Sequence, residues 1–338
     1  MDHYITSAMT KHGLLLINLG TPDSCQPKDV RRYLREFLSD RRVIQLPTLL
    51  RYILLYGIII PFRTRRSTRA YQQIWLPQGS PLLVYSQQLV AHIAAQLAPH
   101  YTVVLGMRYG NPSISAALTA LEHCEHITVL PLYPQYSESA TGSALERVFT
   151  LLAQQAVIPS LTILRDFYTH PDFIIAEAQS IAPYIATHDY ILFSYHGLPA
   201  SHLTKLGCKP ICTNACPSIN SDCYRAQCFT TTRLIAEKLQ LPTTQYATVF
   251  QSQLGKTAWI QPYLNDTLQR LAELRIKRLA ITCPSFVTDC LETLEEIGIR
   301  AKNTWQALGG ETLTLIPALN TDPLWINAIL AITNNNTQ

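Results

Sequence analysis

Eight short apolar runs constrain this chain more than any other feature in it. They start near Leu14, Val103, Ile127, Leu161, Ile191, Ala247, Leu279 and Leu313. Each is about 5–8 residues long and bounded by Gly, Pro or polar turns, the pattern of strands buried on both faces. Between most of them lie stretches of helical periodicity, such as Leu118 and Leu121, or Leu264, Leu268, Leu271 and Leu274. Strands that alternate with helices predict parallel sheets covered on both sides. Eight strands divide naturally into two sheets of four, so the expected class is α/β with two lobes.

An internal repeat points the same way. Leu16-Ile17-Asn18-Leu19-Gly20-Thr21-Pro22-Asp23-Ser24 can be laid on Phe193-Ser194-Tyr195-His196-Gly197-Leu198-Pro199-Ala200-Ser201, with Gly, Pro and Ser coinciding. Each segment opens a group of four strands. The boundary between the halves is expected near residues 165–185, giving a first lobe over 1–170 and a second over 171–338, whose last helix packs back on the first. Ligands of open parallel sheets bind beyond the carboxyl ends of the strands. Gly20-Thr21-Pro22, Arg108-Tyr109-Gly110, Tyr133-Pro134-Gln135-Tyr136-Ser137, His196-Gly197-Leu198-Pro199 and Pro284-Ser285-Phe286 all fall there.

Composition removes several function classes. Of 338 residues 47% are hydrophobic and 15% charged, which excludes disorder for most of the chain. The balance of 27 basic against 23 acidic residues is too even for a nucleic-acid binder. No apolar run reaches the ~18 residues of a membrane span, and the first twelve residues lack the pattern of a signal peptide. A cytoplasmic protein is the expectation. Neither G-x-G-x-x-G nor G-x-x-x-x-G-K occurs, which argues against nucleotide binding.

Four constellations carry chemistry. His196 ends an apolar strand before Gly197 and Pro199, where an imidazole can bind a divalent metal, accept a proton or simply cap a turn. Asp289, Glu292 and Glu296 are spaced by three and four and are expected on one helical face, either a solvated acidic surface or a route for protons and cations. Leu46–Phe62 is apolar on too many sides for a surface helix and is followed by Arg63, Arg65, Arg66 and Arg69. It reads as a core helix, or as the greasy lip of a site for a flat anionic ligand or a membrane surface. Five of nine cysteines, Cys208, Cys212, Cys216, Cys223 and Cys228, crowd one segment. Their spacing leaves an iron–sulfur cluster, zinc or free thiols open.

Taken in order, several motifs resemble the ferrochelatase family, which inserts iron(II) into a porphyrin to make haem. They are Leu19-Gly20-Thr21-Pro22, Phe37-Leu38-Ser39-Asp40-Arg41-Arg42-Val43, Gly79-Ser80-Pro81-Leu82, Met107-Arg108-Tyr109, Leu132-Tyr133-Pro134-Gln135-Tyr136-Ser137, Ser194-Tyr195-His196-Gly197-Leu198-Pro199, Phe250-Gln251-Ser252 and Asp289-Cys290-Leu291-Glu292-Thr293-Leu294. The resemblance runs from about residue 13 to 330. It implies two Rossmann-like lobes of the chelatase kind, each with a four-stranded parallel sheet flanked by helices. It also implies that His196 and Glu292 are the iron-site residues, with Asp289 and Glu296 as a proton or ion route. Arg41, Tyr109, Tyr133, Tyr136 and Ser137 fall in motifs that line the porphyrin cleft. The implied partners are protoporphyrin IX, rather than coproporphyrin III, and Fe(II), with peripheral contact at the cytoplasmic membrane face through the apolar lip.

Two departures from the family pattern stand out. Cys290 stands where some relatives carry His, as in other bacterial members. The insert of residues 205–228 resembles an internal cysteine cluster of some bacterial members, which implies a 2Fe–2S cluster on Cys208, Cys212, Cys216 and Cys223. Two other readings stay open: a cobalt chelatase of the same fold, and a non-catalytic porphyrin- or haem-binding sensor.

Overall fold

The computed structural model describes residues 12–205, 208, 211–212, 222–253 and 257–334. All eight expected strands form: β1 (His12–Thr21), β2 (Tyr101–Gly110), β3 (His126–Pro131), β4 (Ser160–Ile163), β5 (Tyr190–His196), β6 (Tyr246–Gln251), β7 (Arg278–Thr282) and β8 (Thr312–Leu315). They make two four-stranded sheets, ordered β2-β1-β3-β4 and β6-β5-β7-β8. Every pairing is parallel; Gly20 lies beside Tyr109 and His196 beside Gln251. The helices α1 (Pro27–Ser39), α2 (Thr48–Leu54), α3 (Ile60–Ile74), α4 (Pro81–Leu97), α5 (Ile114–Ala120) and α6 (Ser143–Leu152) belong to the first half of the chain. The second half contributes α7 (Pro171–Ile185), α8 (Ala200–Thr204), α9 (Tyr224–Lys238), α10 (Leu264–Glu273), α11 (Lys302–Ala307) and α12 (Pro323–Asn334).

Strand alternation sends neighbouring side chains to different cores. Leu15 and Ile17 of β1 pack outward with Ile114, Leu118, Leu145 and Val148 of α5 and α6. Leu14 and Leu16 face inward and join Phe193 and Tyr195 of β5 in one apolar cluster. That cluster takes in Ile93 of α4, Phe173 of α7 and Trp325 and Ile329 of α12, so the two sheets share a continuous interior. Trp325 meets Phe167 at 5.5 Å and Phe173 at 6.0 Å between ring centres. The last helix packs on α7 and on α4.

Three stretches wind with i→i+5 hydrogen bonds. Leu55–Ile59 joins α2 to α3 in one unbroken helical rod, with the Ile60 amide donating to Leu55 O. Pro61 explains this widened turn: it lacks an N–H and its ring crowds the carbonyl four residues back, at Gly57. Glu138–Gly142 follows β3, and Glu292–Ala301 follows β7.

Candidate active site

The carboxyl ends of β5, β6 and β7 converge. His196 is the last residue of β5 and is half-buried. Its Nδ1 lies 2.6 Å from Gly197 O. A carbonyl oxygen only accepts, so in the neutral ring Nδ1 carries the proton and Nε2 is left with a bare lone pair. Its own backbone is held at both polar atoms: the amide donates to Ser285 Oγ (3.3 Å), and the carbonyl accepts from Tyr224 Oη (2.9 Å). The Phe286 ring stands edge-on to the imidazole at 6.3 Å. Gly197 is obligatory here, because an added Cβ would sit 2.6 Å from Gln251 O.

Glu292 opens the long π-helix, and its carbonyl accepts from Gln251 Nε2 at 2.9 Å. Its carboxylate lies near Arg63, Tyr33, Tyr71 and Cys290. Burial pulls the Arg63 guanidinium below the ordinary arginine range, and the Glu292 charge works against that pull. Burial pushes the phenols of Tyr33 and Tyr71 up, and the Glu292 carboxylate adds to the rise in both. Glu296 accepts from Ser252 N (2.9 Å) and Ser252 Oγ (2.5 Å) and lies 3.7 Å from Arg300.

The acidic trio does not share one helical face. The helix begins only at Leu291, so Asp289 precedes it in irregular chain. Asp289 is buried, accepting from Thr293 Oγ1 (2.8 Å), Asn320 Nδ2 (2.7 Å) and the Asp289-facing amide of Ala318 (3.4 Å). Both of its oxygens are thus engaged in fastening the helix start to the loop before α12. The i+3 spacing to Glu292 matched a helix that the backbone does not make at that point.

In the first half, Tyr109 departs from its expected place. It lies within β2, is fully buried, and donates to Asp40 Oδ2 at 2.8 Å. Asp40 also accepts from Arg108 (2.6 Å), Ser143 Oγ (2.5 Å) and the Arg42 amide (2.7 Å). Tyr109 is therefore enclosed in this structure, with its hydroxyl held by Asp40 and Ser143. Arg41 is exposed and paired with Glu146. Tyr133 is half-buried with an Oη that has no hydrogen-bond partner among the described residues. Tyr136 and Ser137 line a cleft of about 240 Å³ together with Arg42, Glu138, Leu198, His202, Lys205 and Tyr224. Neither His196 nor Glu292 lines it.

The apolar rod is not a core helix: much of its apolar surface is exposed. Leu49, Ile53 and Phe62 are 76%, 62% and 77% exposed, while Leu55 and Ile60 are buried beneath them. Arg65, Arg66 and Arg69 are exposed just beyond. Among the described residues no helix is long and apolar enough to cross a membrane. Sequence reasoning left Tyr33 and Tyr71 unmentioned, counted Arg63 only as part of a basic run, and met Ser285 and Gln251 only within a strand-end segment and a motif, without a role for either.

Cys208 and Cys212 are half-buried, and Cys223 is buried at the start of α9. Cys216 lies outside the described residues. Among the described residues no three His, Cys, Asp or Glu side chains come together to hold a metal ion. Cys208, Cys212 and Cys223 therefore do not by themselves form the ligand set expected of a 2Fe–2S cluster.

Two four-stranded parallel sheets flanked by helices and sharing one interior define a two-lobed α/β protein of the chelatase fold. SirB from Bacillus subtilis with Fe3+ overlays the chain at a TM-score of 0.53 and 12% identity, covering 96% of this chain and 95% of that one. The sirohydrochlorin chelatase SirB of subspecies spizizenii, in complex with cobalt, overlays at 0.51 and 12% identity, covering 96% and 94%. These likenesses establish the fold. A family model described as ferrochelatase matches residues 11–337. A ferrochelatase of Legionella pneumophila (strain Lens) is 53% identical over 327 residues, 96% of this chain and 99% of the relative. One of Coxiella burnetii (strain Dugway 5J108-111) is 50% identical, covering 97% and 94%. The chain belongs to the ferrochelatase family.

Proposed function

We propose that this protein inserts ferrous iron into protoporphyrin IX with release of two protons, as the terminal step of haem formation. The observation that carries the reading is the bare Nε2 of His196, held at a strand end beside the β6 residue that grips Glu292. A planar porphyrin keeps two N–H protons inside its ring and aims its lone pairs poorly at an incoming ion. Chelation needs a bent macrocycle, a base and a dehydrated cation. Binding energy at the propionates and the apolar rim offsets the bend. His196 supplies a ring nitrogen whose lone pair can take up a proton or meet the metal. Glu292 supplies an oxygen ligand suited to a hard-to-borderline divalent ion. Arg63, half-buried near Glu292, presents a guanidinium that suits a propionate carboxylate. Glu296, fixed by Ser252, extends the acidic line away from Glu292.

Iron enters ferrous and stays ferrous. Chelation thus moves no electrons, and the reaction needs no electron that a cluster on the cysteine insert would supply. Family membership at about half identity favours iron insertion over the cobalt-chelatase and sensor readings. Anaerobic assay of the full chain with protoporphyrin IX and Fe(II) checks the proposal. The expected result is protohaem formation; porphyrin binding with no metal insertion would return the sensor reading.

A further inference from the structure

Gln251 does more than end a strand. Its side chain is 2% exposed and makes three contacts that reach three elements. Its Nε2 donates to the carbonyl of Glu292, the first residue of the π-helix, at 2.9 Å. Its Oε1 accepts from Ser194 Oγ of β5 at 2.7 Å, and from Cys283 Sγ, just beyond β7, at 3.8 Å. Its main-chain carbonyl accepts from Gly197 N at 2.8 Å, immediately after His196. One buried residue thus touches the chain next to each of the two proposed iron-site residues. The next residue continues the grip. Ser252 adopts a left-handed φ of 66°, a costly conformation for a residue with a side chain, and in it both its N–H and its hydroxyl reach Glu296.

We infer that Gln251 is a positioning residue for chelation: it sets where the Glu292 end of the π-helix stands relative to His196. This rests on the iron-site reading of the previous subsection. A π-helix start has few neighbours along its own chain to fix it, and a carbonyl can accept a second hydrogen bond on its remaining lone pair. The amide of Gln251 uses that lone pair. Its other end is anchored on β5, so the helix start is tied to the strand that carries the histidine. Gln251 itself need not touch porphyrin or iron, and its removal should spoil geometry without weakening porphyrin binding.

Steady-state kinetics of the full chain on Gln251→Met, Ser194→Ala and Glu292→Gln, with fluorescence titration of porphyrin, tests this. Gln251→Met keeps the length of the side chain and removes its hydrogen bonds to Glu292 and Ser194. The expected result is a kcat lowered about 10- to 100-fold, the size a displacement near 1 Å produces. Porphyrin KM and Kd should stay within about twofold of wild type, the split that marks loss of a transition-state interaction. Ser194→Ala, which loosens the anchor and leaves the Glu292 bond, should lower kcat about three- to tenfold, and less than additively with Gln251→Met because the two share a partner. Should Gln251→Met fail to fold, Ser194→Ala decides alone by the same split, and an unchanged kcat there overturns the proposal. A folded Gln251→Met with wild-type kcat, or with porphyrin affinity falling in step with kcat, also overturns it. If Glu292→Gln is inactive beside an unimpaired Gln251→Met, the positioning role falls and the iron site stands. If Glu292→Gln is fully active, the iron-site reading falls and takes the positioning role with it.

Discussion

The two halves of the molecule are built alike and used differently. Their strand orders correspond, β2-β1-β3-β4 against β6-β5-β7-β8. After the second strand of each half the chain doubles back: Met107 N donates to Pro112 O (2.6 Å), and Phe250 N to Pro262 O (2.8 Å). A π-helical turn follows the third strand in both, five residues long in the first half and ten in the second. Gly20 and Gly197 mark matched strand ends, each pressed so close to a neighbouring carbonyl, of Tyr109 or Gln251, that a Cβ would clash. The residue before each glycine differs: Leu19 packs into the apolar cluster of α1 and α3, and His196 offers a bare nitrogen. The carboxylates of the two π-helices differ as well. Glu138 is taken up by Arg42 (3.5 Å), Lys205 (3.8 Å) and Gln45 (3.0 Å), whereas Glu292 makes no ion pair among the described residues. A repeated scaffold therefore supplies equivalent places for chemistry, and on the proposed function side-chain identity at two of them decides which half performs it.

The largest effect should come from making the second half resemble the first. His196→Leu installs the residue that the first half carries at this position. We expect chelation to fall by about 10³-fold or more, within the range that loss of a positioned base produces. Folding should persist, because His196 is only half-buried and its main-chain bonds to Ser285 and Tyr224 do not depend on its side chain. Haem-forming assays beside thermal melts check this, and near wild-type activity in the leucine variant would erase the functional contrast between the halves.

Much of this contrast could be read before any coordinates. The strands were legible because each is buried on both faces and so reads as an unbroken apolar run, and the match of Leu16–Ser24 with Phe193–Ser201 located the equivalent strand ends. What escaped was geometry that apolar periodicity does not encode. An i→i+5 helix and an i→i+4 helix carry similar patterns over two turns, so the π-helix was invisible, and a three-residue spacing does not tell where a helix starts, so Asp289 fell on a face that begins only after it. Tyr109 looked like a cleft residue because it sits near a strand end, but position along a strand does not tell which side of the sheet a ring enters. Gln251 was quoted as part of a motif and left without a role, since amide side chains give no signal until their partners are known.

Buried carboxylates offer a second, smaller comparison. Glu177 of α7 is 3% exposed, and burial pushes it up to about 8 from an ordinary 4.5. The folded protein therefore holds a proton that the unfolded chain releases above about pH 4.5. Its contribution to stability is fully present below that pH and is lost as pH rises toward 8. At about 1.4 kcal/mol per pH unit the loss is on the order of 4–5 kcal/mol by pH 8. Glu177→Gln should remove this slope and melt higher than wild type at pH 8, with the two curves converging near pH 4.5. Parallel slopes across that window would mean that Glu177 is ionised in the fold.

Asp40, the buried carboxylate of the first half, behaves in the opposite way. Burial pushes its pKa up, but hydrogen bonds from Ser143, the Arg42 amide and Tyr109, with the Arg108 charge, outweigh burial and hold it below the ordinary 3.8. Its contribution is present above the unfolded value and is lost as pH falls through the folded one. Tyr109→Phe removes one of those donors, together with the 3.1 Å contact between its hydroxyl and Ser143 Oγ. We expect a cost of about 1.5–3 kcal/mol at neutral pH, the usual worth of a hydrogen bond to a charged acceptor, shrinking in acid as Asp40 protonates in both proteins. Porphyrin KM should not change, because the ring is fully buried. Thermal melts at pH 7 and in acid, read beside porphyrin KM, separate a strut from a contact residue: a raised KM with unaltered stability would move Tyr109 back to the cleft surface and make the two halves less alike than their strand orders imply.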